Sequence, residues 1–187
     1  LEQYAKYKPI KPIKHIFSKI THKKLENLLI KIEESKKPLI IIGGGDWDKD
    51  GAKNLENFAN NNKIPYAVSF RRQSLVNNNK NCYIGDLSTS VDPKLIKSVQ
   101  ESDLILVVGA RLGEMTTSGY STIKTKQKSK IMHVYPDKKE LGRVYKPLVG
   151  IKANSSIFSK IICNKKIKNI KWLEWTKSCR ENYIQYS

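Results

Sequence analysis

The chain has 187 residues, with 35 Lys and Arg against 17 Asp and Glu, a formal net charge of +18. That length suits one domain with a tail and a real core; an apolar fraction of 39% with nine Tyr and three Trp excludes a disordered chain. No apolar run approaches the roughly eighteen residues of a membrane span, and no basic-then-apolar secretory leader opens the chain. The expected setting is the cytoplasm, and the Leu1 start reads as an excised piece of something longer.

In chain order, residues 1–20 begin with a Lys- and Pro-rich stretch without apolar period, an extended linker from an upstream domain. Leu25, Leu28, Leu29 and Ile32 then fall at helical spacing, with Thr21 as cap and Pro38 as stop. PLIIIGGG reads as a fully buried strand entering a tight turn. A helix follows over residues 48–62 on Ala52, Leu55, Phe58 and Ala59, and then a strand over 65–70. Residues 71–91 look irregular and polar. Asp92 caps a helix with Pro93 at its first position, and DLILVVG makes the next strong strand. KIMHVYP is a further strand, residues 137–144 a short helix, PLVGIK another strand, and residues 153–163 another helix. Residues 165–187 read as a basic linker and an amphipathic helix leading toward a downstream domain. Trp172 and Trp175, three apart, suit docking against a neighbouring surface.

Alternating helices and strands are the pattern of right-handed parallel crossovers. The expected fold is therefore α/β, a Rossmann-like three-layer sandwich over residues 21–164, with a mostly parallel sheet of five or six strands.

The charge is unevenly spread: residues 39–123 are neutral, and the flanks hold the whole excess. A basic face could serve nucleic acid, but 30 of the 35 bases are Lys and five are Arg, whereas bidentate phosphate contacts favour Arg. Lys, Ile and Asn together reflect A/T-rich coding, so solvated drift is preferred and nucleic acid set aside. Cys82, Cys163 and Cys179 lack metal-ligand spacing and read as free thiols.

Four motifs remain. GGGDWDKDG, residues 43–51, places glycines between a strand and a helix, where backbone can approach a phosphate. Asp48 stands where a dinucleotide fingerprint needs its last Gly, and Asp46, Asp48 and Asp50 would repel a diphosphate; a tight turn is the preferred reading. The same acids imitate a calcium loop, but the twelfth-position Glu falls one residue early at Glu56, and a strand precedes. Arg71 and Arg72 stand where such folds read a cofactor's ribose, or serve structure. Gly109 and Arg111 follow the third strong strand, with Arg111 either contacting a ligand or pairing with Glu114. His133 reads as a satisfied core histidine. No catalytic or metal-binding constellation is visible.

In this order, GGGDW, SFRRQSLVNN, YIGDL, DLILVVGARLGEMTTSGY and MHVYPDKKELGRVY resemble the central domain of thiamine-diphosphate-dependent enzymes, nearest the acetolactate-synthase-like group. The resemblance covers residues 20–164. It implies a parent enzyme, a transferase or lyase acting on 2-oxo acids, in which upstream and downstream domains bind thiamine diphosphate and magnesium across a homodimer or homotetramer. The family's catalytic glutamate and GDG…NN motif lie in those other domains, so this chain alone is expected to bind neither cofactor and to have no catalytic residue. Its role would be spacing and subunit packing. In the family the central domain holds FAD, an ADP-like ligand or nothing; here Leu112, Gly113 and Glu114 depart from the FAD-binding pattern, and FAD is not expected. If a nucleotide binds, its contacts would be Gly43, Gly44, Gly109 and Arg111, and the alternative reading is a stand-alone module for FAD, ADP or NADP.

Overall fold

The computed structural model describes residues 20–124 and 130–187. The linker expected at the amino end therefore lies outside the described residues, except for Ile20.

Local signals set most elements. Helix α1, His22–Glu34, starts at Thr21, whose side chain accepts from the Lys24 amide, and buries Leu25, Leu28 and Ile32. Strand β1, Pro38–Ile42, is buried at every position. It is followed by α2, Gly51–Asn61, and β2, Tyr66–Ser69. Strand β3, Tyr83–Leu87, leads to α3, Pro93–Glu101, which Asp92 caps through the Lys94 amide. Strands β4, Leu104–Val108, β5, Ile131–Tyr135, and β6, Val149–Lys152, complete the sheet. Helices α4, Ser155–Ile162, and α5, Leu173–Tyr186, close the chain.

The six strands form one all-parallel sheet in the order β3-β2-β1-β4-β5-β6, the three-layer Rossmann-like arrangement expected. Because β1 and β4 lie at the centre, their side chains face helices on both sides, which is why both read as unbroken apolar runs. One face packs beneath α1, α2 and α4, with Leu28, Phe58, Phe158 and Trp172 fully buried. The other packs against α3, α5 and the segment after β4, through Leu95, Val99, Cys179, Ala110 and Leu112.

Two segments differ from expectation. Residues 71–91 hold a 3-10 turn at Gln73–Leu75 and the edge strand β3. The strand is disguised by Gly85, at φ +119°, and Asp86, whose carboxylate accepts from Gln73. Residues 137–144 form successive turns rather than a helix. Asp137 caps the Lys139 amide, the backbone bonds span three residues rather than four, and Gly142 at φ +89° ends the run.

The last helix laces the amino edge of the sheet. Trp175 Nε1 donates to the carbonyl of Pro38 at 3.1 Å, Thr176 Oγ1 to that of Lys63 at 2.6 Å, and Arg180 Nη1 to that of Tyr83 at 2.8 Å. Pro38 and Tyr83 open β1 and β3, and Lys63 lies in the turn that leads into β2. Trp172, just before the helix, donates to Asn62 O at 3.0 Å. Both indoles are therefore used within this chain, not on a neighbouring surface. Among the described residues no helix is long and apolar enough to cross a membrane.

Candidate functional site

Strand order reverses between β1 and β4, and open α/β sheets bind ligands at the carboxyl ends of such a pair. The loops leaving these strands carry Gly43, Gly44 and Gly109, and the structure brings the three together. A Cβ on Gly44 would lie 1.9 Å from the Gly109 carbonyl oxygen, one on Gly109 2.4 Å from that of Gly43, and one on Gly43 2.0 Å from Ser69 Oγ. Gly44 and Gly109 also sit at φ +78° and +73°, which L side chains rarely adopt. These glycines let two loops touch backbone to backbone.

The rest of the glycine loop crosses to α4. The Asp46 carboxylate accepts from the Ser155 amide at 2.9 Å and the Ser155 hydroxyl at 2.7 Å. Asn154, which caps α4, donates its side-chain amide to Asp46 O at 3.2 Å, and the Asp48 amide donates to Ser156 Oγ at 2.8 Å. An exogenous anion at a helix amino end would seek these donors; here a carboxylate of the chain itself takes them. Trp47 completes the loop by donating to Gly43 O at 2.8 Å.

The calcium-like acids are dispersed. Asp46 faces α4, and Glu56 turns inward to accept from Tyr66 OH at 2.9 Å and from the Asn77 amide at 2.8 Å. Among the described residues no three His, Cys, Asp or Glu side chains gather at ligand distance.

Arg111 does not pair with Glu114. It donates to Tyr135 OH at 2.9 Å and lies 3.7 Å from Glu140, which also meets Arg143 at 3.5 Å. His133 is buried, with Nε2 2.9 Å from Ala110 O. Burial holds its pKa below the ordinary 6.5, although the Ala110 bond and Glu140 pull the other way. Arg71, at φ 56°, lies over its neighbour Phe70. Arg72 reaches toward the turn, its Nη2 3.9 Å from where a Gly45 Cβ would be.

The residues present do not fit thiamine diphosphate and its magnesium. Neither of the two Gly-Asp pairs is followed by Gly: the Asp46 carboxylate of Gly45-Asp46 is taken by Ser155, and Gly85-Asp86 lies inside β3, where a Cβ on Gly85 would meet Leu95 at 3.2 Å and Tyr183 at 3.3 Å. The sequence did not reveal the Asp46–Ser155 joint, because its halves stand 109 residues apart. Nor did it reveal the role of Arg180, which depends on how α5 folds back.

Fold and crevice together define a class: a Rossmann-like α/β domain whose switch-point loops are joined to each other and to α4 by its own residues. The sequence comparisons specify it further. The family described as thiamine pyrophosphate enzyme, central domain, matches residues 25–160, and the chain belongs to that family. The acetolactate synthase large subunit of Corynebacterium glutamicum is 25% identical over 131 residues, covering 68% of this chain and 21% of its own length. That of Cyanidium caldarium is 25% identical over 154 residues, 82% of this chain and 26% of its own. A 3D-(3,5/4)-trihydroxycyclohexane-1,2-dione hydrolase of Clostridium tetani is 28% identical over 93 residues, 50% of this chain and 14% of its own. The chain thus spans about a quarter or less of the length of these relatives.

Proposed function

We propose that the chain is the non-catalytic central domain of a thiamine-diphosphate-dependent enzyme acting on 2-oxo acids, an acetolactate-synthase-like carboligase or decarboxylase. In this reading it spaces the two domains that hold thiamine diphosphate and magnesium and contributes to packing in a homodimer or homotetramer. The observation that carries it is the switch-point crevice, whose glycines and helix amino end are engaged by Gly109, Asp46 and Ser155. We assign Gly43, Gly44 and Gly109 to that joint, and Arg111 to the Tyr135 and Glu140 contacts, ahead of any nucleotide. The acetolactate synthases align over more of this chain than the dione hydrolase does, which favours a 2-oxo acid over a cyclic dione. The three free cysteines fit a reducing cytoplasm.

The test is turnover. The 187-residue chain with pyruvate, thiamine diphosphate and magnesium should form neither acetolactate nor carbon dioxide, whereas the parent polypeptide should form one of them. Turnover by the isolated chain, or a parent inert on every 2-oxo acid, would overturn the reading.

A further inference from the structure

The opposite end of the sheet holds a groove of about 500 Å³, beside the amino ends of β2 and β3 and under the first turns of α5. Four of its lining residues are cations, Lys63, Lys80, Lys177 and Arg180, and Glu181 is its one acid. None of these five takes part in the ion pairs found among the described residues. The chain's own fold gathers these cations around one concavity.

Arg180 distinguishes the groove from a merely solvated basic face. Its Nη1 is pinned by the carbonyls of Asn78 at 3.1 Å and Tyr83 at 2.8 Å, and its guanidinium lies 5.0 Å from the centre of the Tyr183 ring. Its Nε is buried without a partner, so the guanidinium is held rigidly at the groove wall that Arg180 lines. The field of the site is already felt nearby: burial pushes the Cys82 thiol up to about 11, while Lys63 and Arg180 pull against that rise.

The α2 carboxyl end borders the groove and would oppose an anion, but its last carbonyls are occupied. Phe58, Ala59 and Asn60 accept from the amides of Asn62, Ile64 and Lys63. At the amino end of α5 Trp172 supplies no side-chain cap, and Glu174, outside the groove lining, is the acid of the first turn. Leu173, 54% exposed at this end, adds an apolar surface.

We infer that this groove binds a small phosphate-bearing organic molecule, its phosphate held by Arg180 and the lysines and its organic body lying against Leu173. Four cations against one acid call for a dianion, since a single carboxylate would leave most of the charge unmet. An Arg fork matches phosphate geometry, and the volume is that of a small-molecule site.

Calorimetric titration of the 187-residue chain tests this with ribose 5-phosphate, pyrophosphate, inorganic phosphate and ribose. Ribose 5-phosphate should bind below millimolar, more tightly than inorganic phosphate, and ribose should give no heat. The Lys63→Gln/Lys177→Gln double variant alters two exposed side chains without ion pairs and should weaken binding by about tenfold or more. Arg180→Lys should weaken it too, with the thermal melt reporting whether folding survives. Lys146→Gln, which lies outside the groove, should change nothing. No heat at millimolar ligand, equal loss in Lys146→Gln, or full affinity in the double variant would overturn the proposal. Equal affinities for phosphate and ribose 5-phosphate would overturn its organic half, and heat with single-stranded DNA alone would replace it with a nucleic-acid site. None of these outcomes depends on 2-oxo acid turnover, so this inference and the function above fail separately.

Discussion

Gly44 and Gly109 bring two loops into backbone contact. A methyl group on Gly44 would enter the Gly109 carbonyl and hold a non-glycine residue at φ +78°. Gly44→Ala should therefore destabilise the domain by about 2–4 kcal/mol, read as a lower urea midpoint at unchanged slope. Gly113, with nothing within 4 Å of its Cβ position, is the control, and Gly113→Ala should change the midpoint little. Two titrating residues contribute most clearly to the acid limb of stability. Burial would raise the Asp103 pKa, but the Ser35 hydroxyl, the Lys36 and Lys37 amides and Lys130 outweigh it, leaving it below the ordinary 3.8. A lowered carboxylate contributes stability that is full above the unfolded pKa and lost as pH falls through the folded one. His133, lowered by burial, acts earlier. Between its folded pKa and 6.5 the unfolded chain binds the proton and the folded one does not, so stability falls with pH there. Melting temperature should thus decline in two steps, first below about pH 6.5 and then below about pH 4. His133→Asn should remove the first step and Asp103→Asn should shrink the second, to which Glu101, lowered by its Lys37 bond, also contributes, whatever either costs at neutral pH.

Among the elements, α5 contrasts with the family-matched region, which ends at residue 160. Its indole, hydroxyl and guanidinium bonds reach the starts of β1 and β3 and the turn into β2, and Trp172 is wholly buried in the core. Trp172→Ala should cost about 3–5 kcal/mol, and removing residues 165–187 should broaden the unfolding transition and increase binding of a hydrophobic dye. Equal stability with and without that segment would show α5 to be an appendage. The strands show what local sequence can convey. β1 and β4 were legible because centrality demands unbroken apolar residues, and α1 and α3 because Thr21 and Asp92 cap them. β3 was not, since an edge strand covered by α5 tolerates Gly85 and Asp86 inside it. The expected helix at 137–144 failed on Gly142, whose positive φ apolar spacing does not reveal.

At the scale of the whole molecule, the layered architecture followed from alternation of period, and the family from ordered short motifs. The state of the crevice did not, because Asp46 meets Ser155 only after five intervening strands have been placed. The same dependence on distant partners governs α5. Trp175 closes on Pro38 across 137 residues of chain, so β1 leaves the ribosome long before its capping indole exists. Until then the two apolar faces that receive Trp172 and Cys179 stand open, a long-range closure of the slow and aggregation-exposed kind. Nascent chains stalled before residue 172 should accordingly recruit holding chaperones, and release from them should coincide with emergence of Arg180, when the last strand start is tied down.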